Sequence, residues 1–271
     1  MSKCALYTTF LYVPWFCHFD VHRCGVPTCI AVGSFAKGAV DMPCSLMLER
    51  GGRIETRKLR LFPPHMSVRT LLADTPELLR RAYDLRLDVF TEEQGYDPEV
   101  DSYDRVAVPM LLQHEGTQDV VGVIRILPAP LPKIKHEFYA RSELASDALP
   151  GADRSEADMK ASFLEHQVVQ EDERGVRWYS GAKIGRLAVK RDFRGQGYGR
   201  IILRDAEEWV RRTLQESQTA SGRFGVAFQL SSQEPVRGFY EAEGYRIVGD
   251  VYMEEGQPHI HCEKRVLVGE M

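Results

Sequence analysis

Residues 191–203 read RDFRGQGYGRIIL, with an arginine at 194 and glycines at 195, 197 and 199 just before an amphipathic helical pattern. A strand that ends in a glycine turn and feeds a helix makes an anion site. Several backbone N–H groups there point outward without partners, and the helix dipole adds partial positive charge. Glycine lets phosphate oxygens approach the amides closely and tolerates positive φ. The letters exclude two familiar loops. A dinucleotide fingerprint needs GxGxxG, but position 200 is Arg200, and no ribose-binding acid follows in a βα unit. The GxxxxGK[ST] phosphate loop is absent. The pattern that fits is [Gln/Arg]xxGxG, carried by Arg194, Gly197 and Gly199.

Other side chains able to do chemistry lie elsewhere. Tyr240 stands in FYEAEGY, Glu93 in VFTEEQ, and Asp97, Glu99, Asp101 and Asp104 in YDPEVDSYD. As a calcium loop the acidic stretch fails, with Ser102 where glycine is required and Val108 where a bidentate glutamate is required. It reads either as a solvated turn or as the acidic lining of a site for a cationic amine. His259 and His261 share a strand face, but two ligands do not close a metal site. Cys17, His18, His22, Cys24 and Cys29 lack the paired short CxxC turns of a zinc cluster, so no metal is predicted.

These residues need elements to hold them. The chain has 271 residues, 44% hydrophobic and 27% charged, enough for a sizeable core, and its formal charge of -4 offers no cationic field for nucleic acid. The longest apolar stretch, ALYTTFLYVPWFCHF, is broken by Pro14 and falls short of a membrane span, so no membrane partner is expected. Five of the six cysteines crowd the first 44 residues, which leaves no disulfide framework for the main body and suits a cytoplasmic setting.

Residues 1–65 read as a poorly structured extension. From 66 onward a strand (MSVRTLLA) precedes a helical region opened by Thr75 and Pro76. VPMLLQHEG and DVVGVIRIL form a predicted hairpin. Residues 127–178, proline-studded and then polar, read as an insertion with mobile parts. The strand AKIGRLAVK, a helix from about 199 to 214, the strand FGVAFQL, a short helix and two closing strands complete a mixed α/β pattern. In the long helix, Ile202, Ala206, Trp209 and Val210 mark the apolar face, with Arg204, Glu207, Glu208 and Arg211 on the others.

GRLAVKRDFRGQGYGRIIL, FYEAEGYRIVGD, LRLDVFTEEQGYDPEVDSYD and EEGQPHI resemble the GNAT superfamily of N-acetyltransferases, in particular small bacterial and fungal members. The resemblance runs from about 66 to 267, outside the insertion. It implies a mostly antiparallel central sheet flanked by helices and splayed at an acetyl-CoA site. The co-substrate's diphosphate would lie on Arg194, Gly195, Gln196, Gly197, Tyr198, Gly199 and Arg200, and its pantetheine arm along the backbone of Leu187, Ala188 and Val189. Tyr240 matches the family's proton donor to the departing thiolate, and Glu93 is the candidate base. Glu99, Asp101 and His259 are candidates to line the pocket of a small amine substrate. Pro235 stands where family members often carry a polar residue. Two rival readings stay open: a catalytically silent CoA-binding regulator, and an interaction protein using residues 1–65 and 127–178 for docking.

Overall fold

The computed structural model describes residues 67–145, 149–218 and 223–269, together with the backbone of three short strands before them. Those strands, β1 (Ile30–Ala31), β2 (Cys44–Arg50) and β3 (Arg53–Leu59), pair antiparallel in the order β1-β2-β3. The rest of the expectation for residues 1–65, the cysteine and histidine cluster included, lies outside the described residues. The chain divides into two units between His65 and Met66, and the second holds the glycine loop and all the candidate site residues.

That unit is a mixed α/β structure around an eight-stranded sheet. Its strands are β4 (Val68–Leu72), β5 (Val108–His114), β6 (Val120–Pro128), β7 (Val169–Glu171), β8 (Arg177–Val189), β9 (Phe224–Gln233), β10 (Arg246–Glu254) and β11 (Gln257–Val268). They run in the order β10-β11-β9-β8-β6-β5-β4, with β7 pairing on β8. Every pairing is antiparallel except β8 with β9.

Helix α1 (Pro76–Arg86) starts where its sequence says it should: the Thr75 hydroxyl accepts from the Leu78 amide at 3.3 Å, with Pro76 in the first turn. It runs on into a π-helical segment, Leu87–Glu93, so the region expected as one helix or two is one helix that changes its winding. Alternation along the strands divides the core. Val123, Leu111 and Ala188 pack with Leu79, Ala82 and Tyr83 of α1. Ile124, Ile126 and Leu112 face the opposite way, onto α2 (Glu156–Glu165) and α3 (Tyr198–Glu216). Helix α4 (Arg237–Ala242) precedes the last hairpin.

Two expectations need correcting. Residues 127–178 hold more core than their polarity implies. Ser155 and Asp158 make a reciprocal capping box that starts α2, which buries Met159 and Phe163, the latter edge-on to Trp209 at 5.5 Å. Glu207 is no surface residue either: it is buried, and it accepts hydrogen bonds from Lys264 at 2.7 Å and from the Tyr245 hydroxyl at 2.9 Å. The charge on β11 compensates it, a partner far away in sequence.

Candidate active site

Strand β8 builds the site by leaving one neighbour and keeping the other. Its pairing with β9 runs from Arg177–Phe224 to Ile184–Leu230 and goes no further among the described residues. On the other side it stays paired with β6 as far as Val189–Gly122. The backbone of residues 185–189 therefore keeps one hydrogen-bonding edge open, facing the end of β9. The register also slips here: Val123 pairs Ala188 while Arg125 pairs Gly185, so β8 carries one extra residue. That bulge contains Arg186, at φ +51°. Between the parted strands lies a cleft of about 700 Å³, lined among others by Leu187, Val189, Ser231, Ser232 and Tyr240.

The glycine loop closes one end. Gly195 (φ +76°) and Gly197 (φ +84°) both adopt the left-handed conformation, and Gly197 sits at the N-cap of α3 with no side-chain cap. No acid stands in the first turn of α3. The amide N–H groups of residues 195–199 have no acceptor among the described residues, while Arg200 and Ile201 already donate to the Gly197 carbonyl. Unpartnered amides at a helix N-terminus are the arrangement that suits an anion. A Cβ at Gly195 or Gly197 would meet nothing within 4 Å, so only the backbone angle and the approach of a ligand call for glycine there. Gly199 differs in having an ordinary φ and in packing against Phe239 and Leu187.

The loop side chains are more occupied than the sequence implied. Arg194 donates to both carboxylate oxygens of Glu93, at 2.6 and 2.8 Å, and to the Val189 carbonyl at 2.8 Å. Arg200 pairs with the buried Glu243 at 2.6 Å. Gln196 reaches back to the Asp192 carbonyl at 3.4 Å and does not line the cleft. Tyr198 is buried against Phe193. Ala188 turns its methyl into the α1 side of the core and does not line the cleft, so its small size answers core packing.

Tyr240 lies at the cleft and is largely buried, with its ring edge-on to Phe239 and Tyr245. Burial raises its phenol well above the ordinary value, Cys262 adds to this, and a hydrogen bond with Ser232 opposes it. It is a phenol, not a phenolate, at any working pH. His259 also lines the cleft, its Nδ1 3.0 Å from the Gln257 carbonyl oxygen.

Of the acids expected at the site, Glu99 lines the cleft, whereas Glu93 and Asp101 do not. Hydrogen bonds from Arg194 hold the Glu93 carboxyl below the usual carboxylate range, and Glu93 does not line the cleft, so it is poorly suited to take a proton from a substrate. The acidic loop is not a solvated turn: Glu99, Asp101 and Asp104 are buried. Asp101, which does not reach the cleft, pairs with Arg125 at 2.8 Å. Asp104 pairs with Arg86 at 2.7 Å and Arg125 at 3.1 Å. Glu99 lies 3.1 Å from Arg86 and 2.7 Å from Arg186. All three are buried, and of them only Glu99 touches the cleft. Burial raises the Glu99 carboxyl, against the pull of Arg86 and Arg186. For Asp104 burial pushes the same way, but Arg125 and Arg86 outweigh it and leave the group well below the aspartate range.

Sequence reasoning missed Phe90, Gln94 and Tyr96 on the far wall, Ser231–Gln233 at the end of β9, and Arg186. Gln233 ties two of these walls together, donating to Gln94 at 3.1 Å and to the Tyr96 hydroxyl at 3.2 Å. A signal existed only for β9, whose FGVAFQL changes to the polar SSQ where its pairing with β8 ends.

Two family profiles described as Acetyltransferase (GNAT) domain match, over residues 85–178 and 164–247. The chain carries a GNAT acetyltransferase domain. The matched stretches span the π-helical turn, the bulge, the glycine loop and α4, the parts that build the cleft. A UPF0039 protein of Schizosaccharomyces pombe is 36% identical over 78 residues, 29% of this chain and 47% of that protein. The Bacillus subtilis protein YyaT is 31% identical over 85 residues, 31% of this chain and 51% of the relative. The chain thus spans about half the length of the curated relatives it matches. Among solved structures, an acyl-CoA N-acyltransferase from Pseudomonas aeruginosa aligns with a TM-score of 0.45 and 21% identity over 73% of this chain and 99% of that one. Escherichia coli ElaA aligns with a TM-score of 0.42 and 18% identity, over 73% and 98%. No helix among the described residues is long and apolar enough to cross a membrane, and no group of potential metal ligands occurs among them.

Proposed function

We propose that this domain transfers an acetyl group from acetyl-CoA to the primary amine of a small molecule by direct attack, in a reducing, cytoplasmic setting. The observation that carries the reading is the wedge between β8 and β9, an open strand edge leading to five unpartnered amides at a helix N-terminus. A long thioester with an anionic diphosphate fits that combination of edge and amide nest. When bound, acetyl-CoA supplies the activated acyl group.

The chain's own residues do the rest. Amides 195–199 hold the diphosphate, and Arg194, paired with Glu93 and the Val189 carbonyl, braces the loop that presents them. The free edge of Leu187–Val189 takes the pantetheine arm as an added strand and aims one N–H at the thioester carbonyl oxygen, where negative charge develops. Tyr240, kept protonated by burial, gives its proton to the sulfur as the C–S bond breaks and the C–N bond forms, then recovers one from solvent. Solvent at the open mouth takes the amine's surplus proton, since Glu93 is committed to Arg194. Cys262 is buried, does not line the cleft, and has its thiol raised by burial, which argues against a covalent acyl-enzyme.

Calorimetry with acetyl-CoA, followed by thiol release across a panel of amines, tests the reading. Binding with turnover is expected, and Tyr240→Phe should retain affinity while losing about 10²-fold in rate. Absence of any heat with acetyl-CoA would overturn it. Binding without thiol release from any amine would leave a silent CoA-binding protein instead.

A further inference from the structure

We infer that Arg186 is the acceptor-recognition residue, and that the amine substrate carries a carboxylate, as an amino acid does. The inference rests on the acyl-transfer reading of the same cleft and adds the chemical class of the acceptor.

Three guanidinium groups and three carboxylates meet behind the cleft, and they are not equivalent. Arg86 is fully engaged, through Nε to Glu99 and through both terminal nitrogens to Asp104. Arg125 spends Nη1 on Asp101 and Asp104. Both are buried. Between them these two cations engage all three acids, which removes the basis for a pocket selective for cations.

Arg186 is the third guanidinium and the one at the cleft, its side chain 27% exposed against 1% for Arg86. Its Nε lies 2.7 Å from Glu99 without hydrogen-bond alignment, and Asp101 stands 3.8 Å from Nη2. No hydrogen-bond acceptor engages its terminal nitrogens among the described residues. A guanidinium left with free donors at a binding cleft is matched to a planar oxyanion, which it can hold by two parallel N–H···O bonds.

Position makes that anion part of the acceptor. Along β8, Arg186 lies on the opposite side of Leu187 and Val189 from the glycine loop, and the bulge that gives it φ +51° turns the chain there. The diphosphate end of the cleft is the other end. Charge favours a monoanion: Glu99 beside Arg186 would repel a phosphate dianion more strongly than a single carboxylate.

Matched probes test this. With acetyl-CoA or CoA bound, N-acetylalanine should bind the wild-type protein at least about tenfold more tightly than N-ethylacetamide, which lacks the carboxylate. In turnover, alanine should be preferred over ethylamine. Arg186→Gln should abolish both preferences through the acceptor's KM, and Arg186→Lys should restore part of them, because charge returns without the fork. Equal affinity of the wild type for the two probes, a preference for a diamine over alanine, or a carboxylate preference that survives in Arg186→Gln would each overturn the inference. The wild-type comparison stands even if a variant fails to fold. Failure of acetyl-CoA to bind would instead remove the acyl-transfer reading and the acceptor role together, so the two failures are told apart.

Discussion

The loops at 191–199 and 97–105 look equally functional in the sequence, one rich in glycine and one in carboxylates, and the fold uses them in opposite ways. The glycine loop works through its backbone. Two residues at positive φ and a bare helix start leave its amides open, and nothing distant alters that. The acidic loop works through side chains, and their role depends on Arg86 from α1, Arg125 from β6 and Arg186 from β8. What looked like an acidic lining is a buried ionic cluster that braces one wall of the cleft. Backbone function is local, whereas the meaning of a charge is set by whatever the fold places beside it.

The sharpest test of this contrast is Asp104→Asn, which leaves two buried guanidinium groups undercompensated. It should cost about 3–5 kcal/mol in denaturant unfolding, where a solvated acidic turn would lose almost nothing. Acid should act in the same direction. Asp104 is lowered in the fold, so its stabilising contribution is complete above the ordinary aspartate value of about 3.9 and is withdrawn as pH falls below it. Glu99 is raised by burial and acts oppositely, its contribution present below about 4.3 and lost as pH rises through its higher folded value. Wild-type melting temperature should therefore drop below about pH 4, where the Glu99 contribution is already constant, and a curve flat to about pH 2 would contradict the cluster.

At the other loop, Gly197→Val forces a β-branched residue to φ +84°. At roughly 1–2 kcal/mol, acetyl-CoA affinity should fall on the order of tenfold or more by calorimetry, with the fold kept. An unchanged affinity would mean that the turn is not the anion site. The smallest effect separates two roles for Glu93. As a partner of Arg194 it predicts that Glu93→Gln changes kcat/KM only a few-fold, mainly through acetyl-CoA, whereas a general base would cost about 10²-fold or more in kcat.

Much of the architecture was legible because its signals are local. Thr75 and Pro76 announced α1, two β-rich runs joined by a turn announced the β5–β6 hairpin, and the helix after the glycine loop declared its buried face through Ile202, Ala206 and Val210. The boundary of the core was less legible. Met159 and Phe163 are two apolar residues in a polar stretch, and only the nearness of Trp209 makes them interior.

From its own order of residues, the chain settled most of the sheet's strands, α1, α3 and the glycine turn, though not β7 or α2, since φ preferences, capping and periodicity act over a few neighbours. Tertiary structure alone decided which charges are free. Glu93 is taken by Arg194, Glu207 by Lys264, and Glu99, Asp101 and Asp104 by arginines from three separate elements, leaving Arg186 at the cleft. Coulomb interactions and desolvation depend on distances through space, and those exist only once the strands have been laid side by side.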